Sequence, residues 1–167
     1  GWSGNWLENE SPSSATGGVV RITSSGSNRF VRIRPTVSAR TIGSISRGVD
    51  IQGYIGTKVR ADISYTGLEF NANCAIDPTL TDCINFAYST NNGSSWSTVL
   101  PTTAFPTSGS NQNATNVSYT FNLPPAANAA PTNGATTALI RFQLTANDQN
   151  EDFSITNVEI APSGGLD

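Results

Sequence analysis

Apolar and polar residues alternate along most of this chain with a period of two, the spacing of a strand with one buried face. The clearest case is residues 84–99. Ile84, Phe86 and Tyr88 fall on one side of the period, and Asn85, Ala87 and Ser89 on the other. Asn91-Asn92-Gly93 follows, three residues suited to positive φ and tight reversal. Trp96 and Val99 then resume an apolar return strand. The pattern predicts a β-hairpin, with Trp96 packed on the core as its anchor.

The same alternation predicts strands around Val20 and Ile22, Val31 and Ile33 (against Arg32 and Arg34), residues 42–45, and Val59, Ala61, Ile63 and Tyr65. Beyond the hairpin it predicts three more: Val117, Tyr119, Phe121 and Leu123; Ile140, Phe142 and Leu144; and Phe153, Ile155, Val158 and Ile160. Pro35 closes the second of these strands, because proline donates no ladder hydrogen bond. Residues 11–18, 101–116 and 124–136 read as loops rich in small and turn-forming residues. No segment keeps a helical period over three turns. Eight or nine short strands predict an all-β protein, a jelly-roll β-sandwich of two antiparallel sheets. Its 167 residues suffice for one module with a two-layer core. Tyr65, Tyr88 and Tyr119 run in phase with apolar neighbours and belong to that core.

Charged residues make up only 13% of the chain; Ser, Thr, Asn and Gly supply the polarity, as in many secreted β-proteins. No apolar run approaches the roughly 20 residues that cross a bilayer, so membrane insertion is not expected. Histidine is absent, which removes Ser-His and Cys-His nucleophile pairs. Cys74 and Cys83 are the only cysteines, a poor set for zinc. They read as a disulfide closing residues 75–82, worth about 2–3 kcal/mol in the chain-entropy account and implying an oxidising compartment. The alternative is two free buried thiols. Residues 1–60 hold eight of the nine basic groups, while residues 61–167 hold nine of the twelve acids. A sandwich interleaves early and late strands, so the halves offset each other, and nucleic-acid binding is not expected of a chain with net charge −3.

Several stretches taken in order resemble a known kind of module: Trp2-x-x-x-Trp6-x-Glu8, residues 44–54 (Ser-Ile-Ser-Arg-Gly-Val-Asp-Ile-Gln-Gly-Tyr), Leu68-Glu69, Asp82-x-Ile-x-Phe-x-Tyr-Ser, Asn92-Gly-Ser-Ser-Trp, Ile140-Arg-Phe, and Phe153-Ser-Ile-Thr-Asn-Val-Glu-Ile. Together they resemble the jelly-roll accessory domains of secreted bacterial proteins, of the galactose-binding-like and carbohydrate-binding-module type. The resemblance implies polysaccharide binding, adhesion or attachment of an enzyme to its substrate. It also implies one structural calcium held by N-terminal acids and a residue near the last strand, here Glu8, Glu10 and Asp152. Such modules carry an Asp where this chain has Thr156, which weakens that implication. Asp148-x-Asn150-x-Asp152 imitates EF-hand spacing, but Phe153 stands where that loop needs glycine, so an EF-hand is excluded.

Sugars stack their C–H faces on aromatic rings and give their hydroxyls to amides, carboxylates and arginines. Trp2, Trp6 and Tyr54 lie near loops or strand ends and are the candidate platform; Arg32 and Arg34 are candidates for an acidic sugar. The leading expectation is a non-catalytic module, secreted or at the cell surface, that recognises glycan or cell-surface carbohydrate within a larger multidomain or oligomeric protein. An adhesive or structural domain that binds protein is the alternative, and a carboxylate-based glycan-active enzyme the second.

Overall fold

The alternation is realised as ten strands among the described residues. The computed structural model describes residues 6–11, 19–26, 28–36, 38–70, 82–106, 109 and 111–162. Among them are β1 (Leu7–Ser11), β2 (Val20–Ser25), β3 (Asn28–Ile33), β4 (Thr41–Val49), β5 (Thr57–Leu68), β6 (Cys83–Ser89), β7 (Ser97–Thr98), β8 (Gln112–Leu123), β9 (Ala138–Ala146) and β10 (Asp152–Pro162). Among the described residues a 3-10 turn, Pro125–Asn128, also occurs. One sheet has the order β1-β4-β9-β6-β7 and the other β2-β3-β10-β5-β8, all neighbours antiparallel. Strands β3 to β10 thus divide as β4-β9-β6-β7 facing β3-β10-β5-β8, the interleaved double Greek key of a jelly roll. β1 and β2 extend one edge of each sheet.

The strand that the pattern does not predict is β1. Its residues Leu-Glu-Asn-Glu-Ser carry no alternation because an edge strand can be held by main-chain pairing alone, here to β4 from Leu7↔Ser46 to Ser11↔Ile42. The hairpin at 84–99 forms, but its return strand β7 is only two residues long. Ser94 N donates to Asn91 O, and Asn92 and Gly93 both have positive φ (58° and 78°), the type I′ geometry that Asn-Gly favours. Trp96 does not pack on the core. It lies on the outer side of the first sheet, half-buried beneath the Arg141 guanidinium, which stands 4.3 Å from its ring centre.

Both faces of β6 are buried, where alternation predicts one. Its outward polar groups meet this with hydrogen bonds: Asn85 Nδ2 donates to Thr98 Oγ1 (3.0 Å), and Ser89 Oγ accepts from Gly93 N (2.9 Å). The inward side enters the core. There Phe86 from one sheet meets Phe121 from the other at 4.3 Å between ring centres, with Phe142 at 4.9 Å from Phe86. All three rings are fully buried, each contributing about 1.5–3 kcal/mol by removal from water. Tyr65, Tyr88 and Tyr119 are buried with them, and the hydroxyls of Tyr65 and Tyr119 bond to each other.

Two local features fit the sheets together. Gly43 of β4 faces β2 and β3 so closely that a Cβ there would stand 2.6 Å from Ile33 Cγ2 and 2.8 Å from Val19 Cγ1. In β10 the register slips between Thr156 and Glu159, and Asn157 takes φ 50°. This bulge explains why the apolar spacing jumps from Ile155 to Val158. Val117, expected inside, is exposed, near register shifts in the β5–β8 pairing.

Candidate functional site: an arginine-lined cavity

Hairpin β2–β3 lies at the edge of the second sheet and presents alternating side chains. Val31 and Ile33 turn into the core, so Arg32 and Arg34 take the opposite face. The register sets Arg21 directly across from Arg32, and Ser154 of β10 on Arg32's other side. Arg34, just past β3, is fixed by its backbone N donating to Val19 O (2.9 Å). Arg21, Arg32 and Arg34 together line a cavity of about 290 Å3, completed by Val19, Pro35, Thr36 and Gln149. Sequence reading supplies Arg32 and Arg34. Arg21 is the addition, visible only once register places it beside Arg32.

The guanidiniums of Arg32 and Arg34 are oriented from β10 and the turn before it. Asp152 Oδ2 receives Arg32 Nη2 at 2.5 Å, an ion pair about one-third and one-sixth exposed at its two ends. Arg34 Nε donates to the carbonyl of Gln149 (2.7 Å). Gln149 is held in turn by the oxygen-rich run around it. Asp148 Oδ1 accepts from Asn150 N (2.8 Å) and Asn150 Nδ2 (2.9 Å). Glu151 Oε2 accepts from both Asn147 N and Asp148 N, each 2.8 Å. Glu151 is a buried carboxylate that ties the turn from beneath. It also shares a hydrogen bond with Asp82, whose Oδ2 accepts from Glu69 N (2.7 Å). Burial, and then the charges of Glu151 and Glu69, push Asp82 up to about 7 against the pull of that Glu69 N–H.

The other predicted residues separate. Trp6 is half-buried, its ring packed on the core 6.5 Å from Phe142 and capped by Arg47 at 5.4 Å, so it is spent on packing. Tyr54 is 43% exposed on the turn after β4, next to Ile55, 96% exposed. Trp2 and Cys74 lie outside the described residues. Cys83 is fully buried, and no described cysteine is a free thiol. Glu8 is exposed on β1 in the first sheet, with Glu10 on the same strand, whereas Asp152 belongs to the second sheet and its carboxylate is engaged by Arg32. Among the described residues no three carboxylates or thiols gather into a group that could hold a metal ion. The carboxyl pair Asp82 and Glu151 is sealed from solvent, out of reach of a glycosidic bond. Among the described residues no helix is long and apolar enough to cross a membrane.

No family model and no curated protein matches the chain. Among solved structures it is similar to the CBM22-1 xylan-binding domain of Paenibacillus barcinonensis Xyn10C, with 7% identity and a TM-score of 0.47, covering 96% of this chain and 87% of that one. It is also similar to the enzymatically active domain of bacteriophage CBA120 tailspike protein 4, with 14% identity and a TM-score of 0.43, covering 94% of this chain and 19% of that one. Likenesses this distant do not bear on what the chain binds.

Proposed function

We propose that this chain is a non-catalytic, extracellular module that binds glycan. The observation that carries the reading is the cavity at the β2–β3 hairpin. Its size, about 290 Å3, sits at the small end of ligand sites and suits a sugar ring. Arg21, Arg32 and Arg34 supply donors for ring oxygens, and the apolar stems of the exposed Arg21 and Arg34 offer surface for C–H faces. The donors stand on paired strands and a tied turn, so little ordering is left to be done on binding. No bond is broken in this mechanism. An oxidising, secreted setting accords with the Ser/Thr/Asn-rich surface and with a Cys74–Cys83 disulfide, which intact mass before and after reduction would test.

A glycan array probed with the wild-type chain is the decisive experiment. Selective binding is expected; uniform silence at high protein concentration would sink the reading.

The second reading is an adhesive domain that binds protein. Tyr54 and Ile55, adjacent and open on one turn, favour it. Solution mass tests it, since a fibre-like assembly would show as a defined oligomer that Ile55→Ser disperses.

A further inference from the structure

We propose that Asn133 is a site of covalent self-modification, converting through a succinimide to aspartate and isoaspartate, while Asn92 is held back by Ser89. The chain contains two Asn-Gly pairs, Asn92-Gly93 and Asn133-Gly134. A glycine nitrogen reaches the preceding side-chain amide most easily, because no Cβ obstructs the approach. The two pairs occupy nearly the same backbone conformation, with φ of 58° and 78° at the first and 54° and 73° at the second. Each turn is closed by one main-chain bond, Ser94 N to Asn91 O (3.2 Å) and Ala135 N to Thr132 O (3.1 Å). Both asparagines are exposed. What separates them is the glycine nitrogen. Gly93 N donates to the buried hydroxyl of Ser89 (2.9 Å), and a Cβ built on Gly93 would stand 3.5 Å from Trp96 and 3.7 Å from Leu139. Gly134 is exposed, its nitrogen has no acceptor among the described residues, and a Cβ built on it would meet nothing within 4 Å.

The reaction needs only water. Gly134 N gives up its proton to solvent and bonds to Asn133 Cγ; the Cγ–Nδ2 bond breaks, and that nitrogen takes up a proton and leaves as ammonia. Water then opens the ring at either carbonyl. One opening leaves aspartate, the other isoaspartate, with the main chain running through the side-chain carbon. Either product adds one negative charge. Isoaspartate also lengthens the main chain by a methylene, in a turn tied to the hairpin by Thr132 N donating to Thr90 O (2.7 Å). Gly93 N must first release Ser89 and leave its packed neighbours, so the same chemistry is slower there.

The test incubates the intact chain at mildly alkaline pH and maps its chymotryptic peptides by mass spectrometry, with enzymatic methylation marking isoaspartate. Expected is conversion at Asn133 that outpaces Asn92 by about fivefold or more, a gap that closes in urea, where both turns are lost. Ser89→Ala is expected to raise the Asn92 rate severalfold and to leave the Asn133 rate unchanged. That variant is read only where its circular dichroism matches the wild type. Where it does not, amide exchange of the wild type decides, with Gly93 protected and Gly134 open. Equal rates at the two asparagines in the folded chain, or a faster Asn92, would overturn the proposal. A gap that persists in urea would belong to the flanking sequence and would overturn it too. So would a folded Ser89→Ala whose Asn92 rate is unchanged, or a Gly134 amide as protected as that of Gly93.

Discussion

Asp82 and Glu151 share a hydrogen bond between two buried carboxyl groups, 1% and 4% exposed, where the entry of β6 meets the turn before β10. Two charges cannot both stay there cheaply. Glu151 already accepts two backbone N–H groups, so the shared proton belongs on Asp82, and Asp82 rises to about 7. The pair joins Glu69 at the end of β5, the start of β6 and the turn that carries Gln149, and so reaches the cavity through Arg34.

The pH dependence of stability follows from that shared proton. An acid whose folded pKa lies above its unfolded value binds more protons when folded, so stability falls as pH rises from about 4 through about 7. The melting temperature is expected to rise by several degrees between pH 8 and pH 5.5. Asp82→Asn, which offers Glu151 an amide donor and keeps an oxygen for Glu69 N, is expected to flatten that slope and to stabilise the chain at pH 8. A variant that melts with the wild type's pH profile would show that Asp82 does not hold the proton.

How much of this is legible in the sequence depends on whether a residue's role is set by its own strand or by a neighbour. Val31 and Ile33 against Arg32 and Arg34 reveal their strand and its faces directly, because a period of two is a local property. The jelly roll is legible because strands recur at regular spacing. Register is not local. Nothing near Arg21 says that it pairs with Arg32, and nothing near Asp152 says that Arg32, 120 residues earlier, will claim its carboxylate. Glu151 sits in an acidic run that looks solvated, yet it is buried because the run folds back over it. Trp96 misleads in the other way: a large apolar residue after a turn reads as core, but a guanidinium can cover its ring equally well.

At Gly43 the two sheets approach too closely for a side chain. Gly43→Ala places a Cβ 2.6 Å from Ile33 Cγ2 and is expected to cost about 1–3 kcal/mol in chemical denaturation. Ile33→Ala removes the methyl group that clashes. The double variant should therefore lose less stability than the two single variants together, a coupling of about 0.5 kcal/mol or more. Strict additivity would mean that the backbone moves instead.

Calcium should not stabilise the chain through Glu8, Glu10 and Asp152. Asp152 is committed to Arg32, and Glu8 stands on a strand of the opposite sheet. Melting temperatures with millimolar calcium and with EDTA are expected to agree within error. A calcium-dependent rise that disappears in Asp152→Asn would show that the ion displaces Arg32 and would reinstate the site.

The hairpin turn is tied by one buried hydroxyl. Ser89 Oγ donates to Asn91 Oδ1 (2.8 Å) while accepting from Gly93 N (2.9 Å), and Asn91 Oδ1 in turn accepts from Ser95 N (2.9 Å). Ser89 is buried, so Ser89→Ala strands donors that water cannot easily reach, at a cost of about 1–3 kcal/mol. Asn92 is exposed and contributes its tolerance of positive φ; Asn92→Ala should cost about 1 kcal/mol, from backbone strain alone. Urea denaturation of the two variants separates these effects. If Asn92→Ala proves the more damaging, the turn is held by its backbone conformation, and the Ser89–Asn91 network is secondary.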